Sequence, residues 1–169
     1  AALKDDLKEV PDSRIIIEPA FRDTAAAIAY GSTMISKYYD NPTICVLASD
    51  HLIADDEEFR KVIKIAEAEA EKNNIVTLGI KPEYPETGYG YIEVADAKLN
   101  VPTKSLGFKE KPQYDVAKKY YESGKFLWNS GMFIFKYDII IEALEKHSPN
   151  HFETIKKIKC LFDFNDGIN

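Results

Sequence analysis

The sequence predicts an α/β fold: a mixed, mainly parallel central sheet with helices on both faces. Three observations carry that prediction. Short apolar runs alternate with longer helix-periodic segments through the first half, at a spacing that suits strands joined by crossover helices. The second half breaks this alternation with two strand-like runs and a polar connection, which predicts an antiparallel excursion. Polar clusters lie at the ends of the apolar runs, namely Glu18-Pro19, Ser49-Asp50-His51, Glu110-Lys111-Pro112 and Trp128-Asn129-Ser130-Gly131. Ligands of open α/β sheets bind outside the carboxyl ends of strands, so these clusters read as loops and as functional candidates.

Residues 14–17 read as a short buried strand, and the alanine-rich residues 24–39 as a helix with Asp23 as its N-cap. Residues 43–48 are a second buried strand. Residues 55–72 bring Phe59, Val62, Ile63, Ala66 and Ala70 to one face of a long helix, and residues 75–78 form a third strand. Residues 91–94 and 105–108 are the antiparallel pair, with Pro102 punctuating their connection. A helix over 114–123 starts near Gln113 and ends at Gly124. Residues 132–135 are a strand, 138–147 a helix, and a last helix lies beyond Pro149, while 162–167 shows no period.

Composition narrows the function classes. With 169 residues, 45% hydrophobic and 30% charged, the chain can bury one substantial core and reads as one domain over 1–169, or most of one. A net charge of −6 argues against a binder of nucleic-acid backbones, which relies on lysine and arginine. A small anionic substrate needs only a local positive group and a divalent cation. Cys45 and Cys160 make no disulfide framework and read as buried or idle thiols, which fits a reducing cytoplasm. No apolar stretch has the length of a membrane span, and the start, Ala1-Ala2-Leu3-Lys4-Asp5-Asp6, is charged where a secretory signal is apolar.

Each chemical candidate has a plainer alternative. Asp50 either holds a hard cation with a substrate phosphate or caps a turn, and His51 is as easily a packing residue. Lys111 offers a compact positive charge and Glu110 an acceptor for sugar hydroxyls, if the strand ends there and both turn into the crevice; otherwise they are a solvated strand end. In Thr87-Gly88-Tyr89-Gly90 the glycines allow either close approach of a ligand or a turn. Asn129 either holds a sugar hydroxyl or caps a turn. Pro149 between His147 and His151 speaks against a zinc site, and neither a dinucleotide fingerprint nor a P-loop occurs. Without a Ser-His-Asp arrangement, phosphoryl and nucleotidyl transfer move up, because positioning and charge stabilisation do most of the catalysis there.

Five segments in order resemble a known family: residues 18–27 from Glu18-Pro19 to Ala27, residues 46–51 ending in Asp50-His51, residues 77–82 leading into 87–92 with Thr87-Gly88-Tyr89-Gly90, residues 108–112 with Glu110-Lys111, and residues 128–133 with Asn129. The set is similar to the nucleotidyltransferase domain of the mannose-1-phosphate guanylyltransferases, also called GDP-mannose pyrophosphorylases. The resemblance implies a Rossmann-like nucleotide-diphospho-sugar transferase fold. It implies attack of a mannose 1-phosphate oxygen on the α-phosphorus of GTP, with pyrophosphate released. It puts Glu18 and Pro19 by the guanine, with Asp23 beside them in the same segment, and makes Asp50 a magnesium ligand. Gly88, Glu110 and Asn129 meet the sugar, and Lys111 neutralises the sugar phosphate.

The chain also departs from the family pattern. Asp23 stands where asparagine is usual and Ala26 where proline is frequent, and an aspartate has no amide donor to offer a base. The family's N-terminal strand and glycine-rich loop have no counterpart, and a second metal-binding aspartate has no match. The expectation is therefore an internal piece of a longer enzyme, inactive alone, whose open sheet edge invites another chain or a second copy. Two other readings stand beside it: a non-catalytic homologue that binds GDP-mannose, and a transferase for a different sugar phosphate.

Overall fold

The computed structural model describes residues 8–11, 14–18 and 23–166, with the backbone alone for 162–166. In chain order the elements are α1 (Thr24–Ser36), β1 (Thr43–Val46), α2 (Asp56–Ala70), β2 (Val76–Ile80), β3 (Tyr91–Val94), β4 (Ser105–Lys109), α3 (Tyr114–Ser123), β5 (Phe126–Lys136), α4 (Tyr137–His147) and α5 (Pro149–Asp166). They fall into two compact units, one of Ala1–Pro42 with Ile140–Asn169 and one of Thr43–Ile139.

The first unit is helical. Ala29 of α1, Leu144 of α4 and Ile155 of α5 form its core, with Ile141, Phe152 and Ile158 packed around them. Alanine at the contact lets α1 approach closely, and Thr33 is buried there because its hydroxyl donates to the Ala29 carbonyl at 2.8 Å. Asp23 precedes α1 in an extended conformation without a side-chain cap; its carbonyl accepts from the amides of Ala26 and Ala27. Residues 14–17 are not the predicted buried strand. Arg14 closes a turn onto the Pro11 carbonyl, Ile17 is 70% exposed, and an apolar run without a ladder partner gains nothing from an extended backbone.

The second unit is built on β5. Its eleven residues pair with β2 along one side and, on the other, with β3 near Trp128 and then with β1 near Ile134. β4 extends the sheet beyond β3. Every ladder is antiparallel, so the mainly parallel sheet of the sequence prediction does not form. The strand–helix–strand logic behind it survives in part: β1 and β2, linked through α2, both run opposite to β5 and hence point the same way. β5, far along the chain, lies between them and takes the bonds they would have made to each other.

Local chemistry supports these placements. Asp55 caps α2 by accepting from the Glu58 amide at 2.9 Å, and Asp56, Glu57 and Glu58 complement the positive end of the helix. Ala66 and Ala70 of α2 pack on Ile134, with Ile63, Val76 and Leu78 closing the cluster. Burying a side chain such as Ile134 contributes about 1.5–3 kcal/mol. Gly124 ends α3 in the left-handed conformation at φ 66°, and Ala117 of α3 is buried against Tyr91 and Trp128.

Two more expectations change. Trp128-Asn129-Ser130-Gly131 is not a loop before a strand but lies inside β5. Both cysteines are exposed, not buried. Although Cys45 is exposed as a residue, partial desolvation of its thiol and then the Glu67 carboxylate push that thiol up. Among the described residues no helix is long and apolar enough to cross a membrane.

Candidate functional site

The candidate site of the second unit lies at a break in the sheet. β1 runs along β5 only as far as Phe133, and β3 begins opposite Trp128, so residues 129–132 of β5 have no neighbour from either strand. Three chain segments end or begin at this gap: the exit of β1 toward Asp50, the loop through Gly88 and Gly90 into β3, and, next to β3, the end of β4 before Glu110.

β5 is irregular in the gap. Between the pairs Thr77–Phe133 and Gly79–Asn129, β2 advances two residues (77 to 79) while β5 covers four (129 to 133). Gly131 takes φ 72° to absorb the excess, a conformation that a side chain would strain. Asn129 holds the distortion in place. Its Oδ1 accepts from the Thr77 hydroxyl at 2.9 Å and from the Gly131 amide at 3.3 Å, while the same hydroxyl also lies 3.0 Å from the Met132 carbonyl. These bonds use the carbonyl end of the side chain and leave Nδ2 as a donor.

Gly90 connects Asn129 to Glu110. Its carbonyl accepts from the Asn129 amide at 2.8 Å. A Cβ on Gly90 would sit 2.6 Å from Phe108 Cζ and 3.0 Å from Glu110 Oε2, so the carboxylate lies over a backbone that only glycine leaves open. β4 stops at Lys109, and Lys111 adopts φ 38°, which turns the chain at the end of the strand. The sequence left open whether Glu110 and Lys111 diverge. Here Lys111 Nζ lies 3.8 Å from Glu110 Oε1, with both side chains more than half exposed, so the pair is weak and either head can engage a ligand.

Gly88 sits in a tighter arrangement. Glu86 Oε1 accepts from the Thr87 amide at 2.8 Å and from the Gly88 amide at 2.7 Å. Behind the loop, Trp128 is packed edge-on by Tyr84 at 5.0 Å and Tyr89 at 5.4 Å, and its buried Nε1 has no hydrogen-bond partner among the described residues. Partial burial, then the Glu86 charge and Tyr89, push the Tyr84 phenol above its ordinary value.

Asp50 has a different setting. It follows β1, its carboxylate is 86% exposed, and its ion-pair neighbour is His51 Nε2 at 3.9 Å. Among the described residues no three His, Cys, Asp or Glu side chains cluster as a metal centre. A single carboxylate fits a cation of the magnesium kind, which keeps several waters and takes substrate phosphates as further ligands.

Glu18 and Asp23 belong to the first unit, where Glu18 borders a cavity of about 140 Å³ walled mainly by Ala29, Ile155 and Ile158; Pro19 lies outside the described residues. His151 does not pair with His147 as a metal site; its Nδ1 lies 2.6 Å from the Ser148 hydroxyl. Sequence reasoning missed the supporting residues Thr77 and Glu86, left Trp128 as part of a motif without a role, and read Gly90 only as allowing close approach of a ligand or a turn. Only Gly90 carried a signal, as a glycine directly before a strand.

Comparison with known proteins places the chain in a family. The family model described as nucleotidyl transferase matches residues 2–160. The mannose-1-phosphate guanylyltransferase of Escherichia coli K12 is 39% identical over 155 residues, which cover 88% of this chain and 32% of that protein. A crystal structure of a mannose-1-phosphate geranyltransferase from Thermus thermophilus matches with a TM-score of 0.79 and 34% identity, over 86% of this chain and 42% of that one. A mannose-6-phosphate isomerase from Helicobacter pylori matches with a TM-score of 0.74 and 34% identity, over 83% and 52%. The chain spans about a third of the length of the curated relatives it matches. With a family match over nearly its whole length and the same fold in solved relatives, the chain belongs to the nucleotidyl transferase family.

Proposed function

We propose that this chain is part of a guanylyltransferase that forms GDP-mannose and pyrophosphate from GTP and mannose 1-phosphate. The observation that carries the reading is the sheet break, where the Asn129 amide meets the Gly90 carbonyl and the Glu110 carboxylate lies against Gly90, with the Gly88 loop leading into the same strand. A donor, an anionic acceptor and the exposed backbone at Gly88 suit a polyhydroxyl ring better than a peptide or a lipid. The curated relatives carry names of the same activity.

The division of labour follows from the side chains. Asn129 donates to one sugar hydroxyl and Glu110 accepts from others, which fixes the ring. Lys111, on a flexible stem beside Glu110, brings a point charge to the sugar phosphate and holds its oxygen ready for in-line attack on the α-phosphorus of GTP. Asp50 would hold a magnesium ion, which when bound neutralises charge on the phosphates. Glu18, Pro19 and Asp23 are assigned to the guanine side, with the carboxylates as acceptors for base N–H groups.

The test is pyrophosphorolysis by the full-length protein with magnesium, with GDP-mannose offered beside other nucleotide sugars. Release of GTP from GDP-mannose in preference to the others is the expected result. Binding of GDP-mannose without turnover would support a regulatory homologue instead, and preference for another nucleotide sugar would reassign the sugar pocket.

A further inference from the structure

Resting on the reading of the sheet break as the sugar subsite, we propose that Glu86 is a positioning residue: it fills the amide nest of Thr87 and Gly88, fixes the loop that meets the sugar, and keeps phosphate oxygens out of that nest. Two independent clamps act on this one residue. Its main chain is gripped by the Tyr91 hydroxyl, which accepts from the Glu86 amide at 3.0 Å and donates to the Glu86 carbonyl at 2.8 Å. Tyr91 is fully buried as the first residue of β3, in register with Lys109 on one side and Trp128 on the other, so the clamp is anchored in the sheet. The Glu86 side chain then folds forward and takes both following amides on one oxygen.

The chemistry of this arrangement is specific. Two successive amides aimed at one point make an anion-binding concavity of the type that holds phosphate. An open nest at Gly88 would compete with Lys111 for the phosphate of mannose 1-phosphate and let the sugar bind in the wrong orientation. With Glu86 in the nest, the Gly88 amide is already committed and Glu86 Oε1 lies 3.2 Å from where a Cβ on Gly88 would sit, so what Gly88 has left to offer the sugar is its carbonyl oxygen. Charge-assisted bonds to two amides hold this state firmly.

The experiment uses the full-length protein as wild type, Glu86→Ala and Glu86→Gln. Steady-state rates are measured against mannose 1-phosphate and GTP separately, with inorganic phosphate as a probe inhibitor. Glu86→Ala should raise KM for mannose 1-phosphate about tenfold, leave kcat within about twofold and KM for GTP unchanged, and make inorganic phosphate a competitor of the sugar phosphate. Glu86→Gln retains an acceptor oxygen and should restore most of the loss. An unchanged KM for the sugar phosphate in Glu86→Ala, or a Gln variant as impaired as Ala, overturns the proposal. If the wild type turns over no GDP-mannose, the functional reading fails on its own, and the positioning role is decided by hydrogen exchange. The Thr87 and Gly88 amides should then exchange at least about tenfold faster in Glu86→Ala, and unchanged exchange would refute the role.

Discussion

The sheet break and the exit of β1 belong to the same unit but are built in opposite ways. At the break a set of polar groups is tied together: Asn129 to Thr77 and Gly131, Gly90 to Asn129, Glu86 to Thr87, Gly88 and Tyr91. At the exit of β1, Asp50 stands out in solvent with one imidazole 3.9 Å away. A sugar is recognised through the directions of its hydroxyls, which rewards donors held rigid before it arrives. A metal-bound phosphate brings its own charge and ligands, so its protein anchor need only be a carboxylate in reach.

That contrast predicts that stability and activity separate at one region and fall together at the other. Asp50→Asn keeps the shape of an exposed side chain and removes its charge. Activity of the full-length protein should drop on the order of a thousandfold, while the melting temperature stays within about a degree. A substantial loss of stability would mean that Asp50 is a structural cap and would remove the distinction.

Asn129→Ala should move both quantities. It deletes the Nδ2 donor offered to the sugar, leaves the Gly131 amide short of its Asn129 acceptor and leaves the Thr77 hydroxyl with the Met132 carbonyl alone. A loss of about a hundredfold in kcat/KM for the sugar phosphate is expected, with about 1–2 kcal/mol of stability read from denaturant unfolding. Intact stability with lost activity would show the hydrogen bonds to be incidental and would make the two regions alike.

Much of the local structure was legible in the sequence because its causes are local. The start of the long helix at Asp55, the Gly124 stop and the apolar face of residues 59–70 are each set by residues within a few positions of one another, whereas the N-cap read at Asp23 makes no side-chain capping bond. The error about parallel pairing arises from a long-range choice: β1 and β2 run in the same direction as predicted, but β5 lies between them, and no periodicity reports which distant strand will intervene. The same applies to the site. Asn129 and Glu110 were visible as residue types, but their meeting through Gly90 depends on β3 lying between β4 and β5. Glu86 could not be found from its own neighbourhood, because its backbone clamp comes from a tyrosine that becomes a buried anchor only once β3 is paired.

Gly90→Ala sharpens the comparison with a smaller effect. The added methyl meets the far ends of two flexible side chains, Phe108 and Glu110, both exposed, so it can be accommodated by moving them. Stability should change by less than about 1 kcal/mol, whereas KM for the sugar phosphate rises about three- to tenfold because the carboxylate is displaced. Equal stability and unchanged KM would take Glu110 out of the sugar contact.

The smallest effect is a titration. The Tyr84 phenol is held above its ordinary value of 10.0, first by partial burial and then by the Glu86 carboxylate. The folded chain therefore keeps this proton to higher pH than the unfolded chain does. Its contribution to stability is complete below the unfolded pKa and is lost as pH rises from there through the folded value, so alkaline unfolding draws on this group. Phenolate absorbance during an alkaline titration should contain a late component that is absent in Tyr84→Phe and shifted downward in Glu86→Gln. A downward shift would tie Glu86 electrically to the aromatic wall behind the sugar loop; no shift would mean that burial alone raises the phenol, and that the order at the sheet break rests on packing more than on charge.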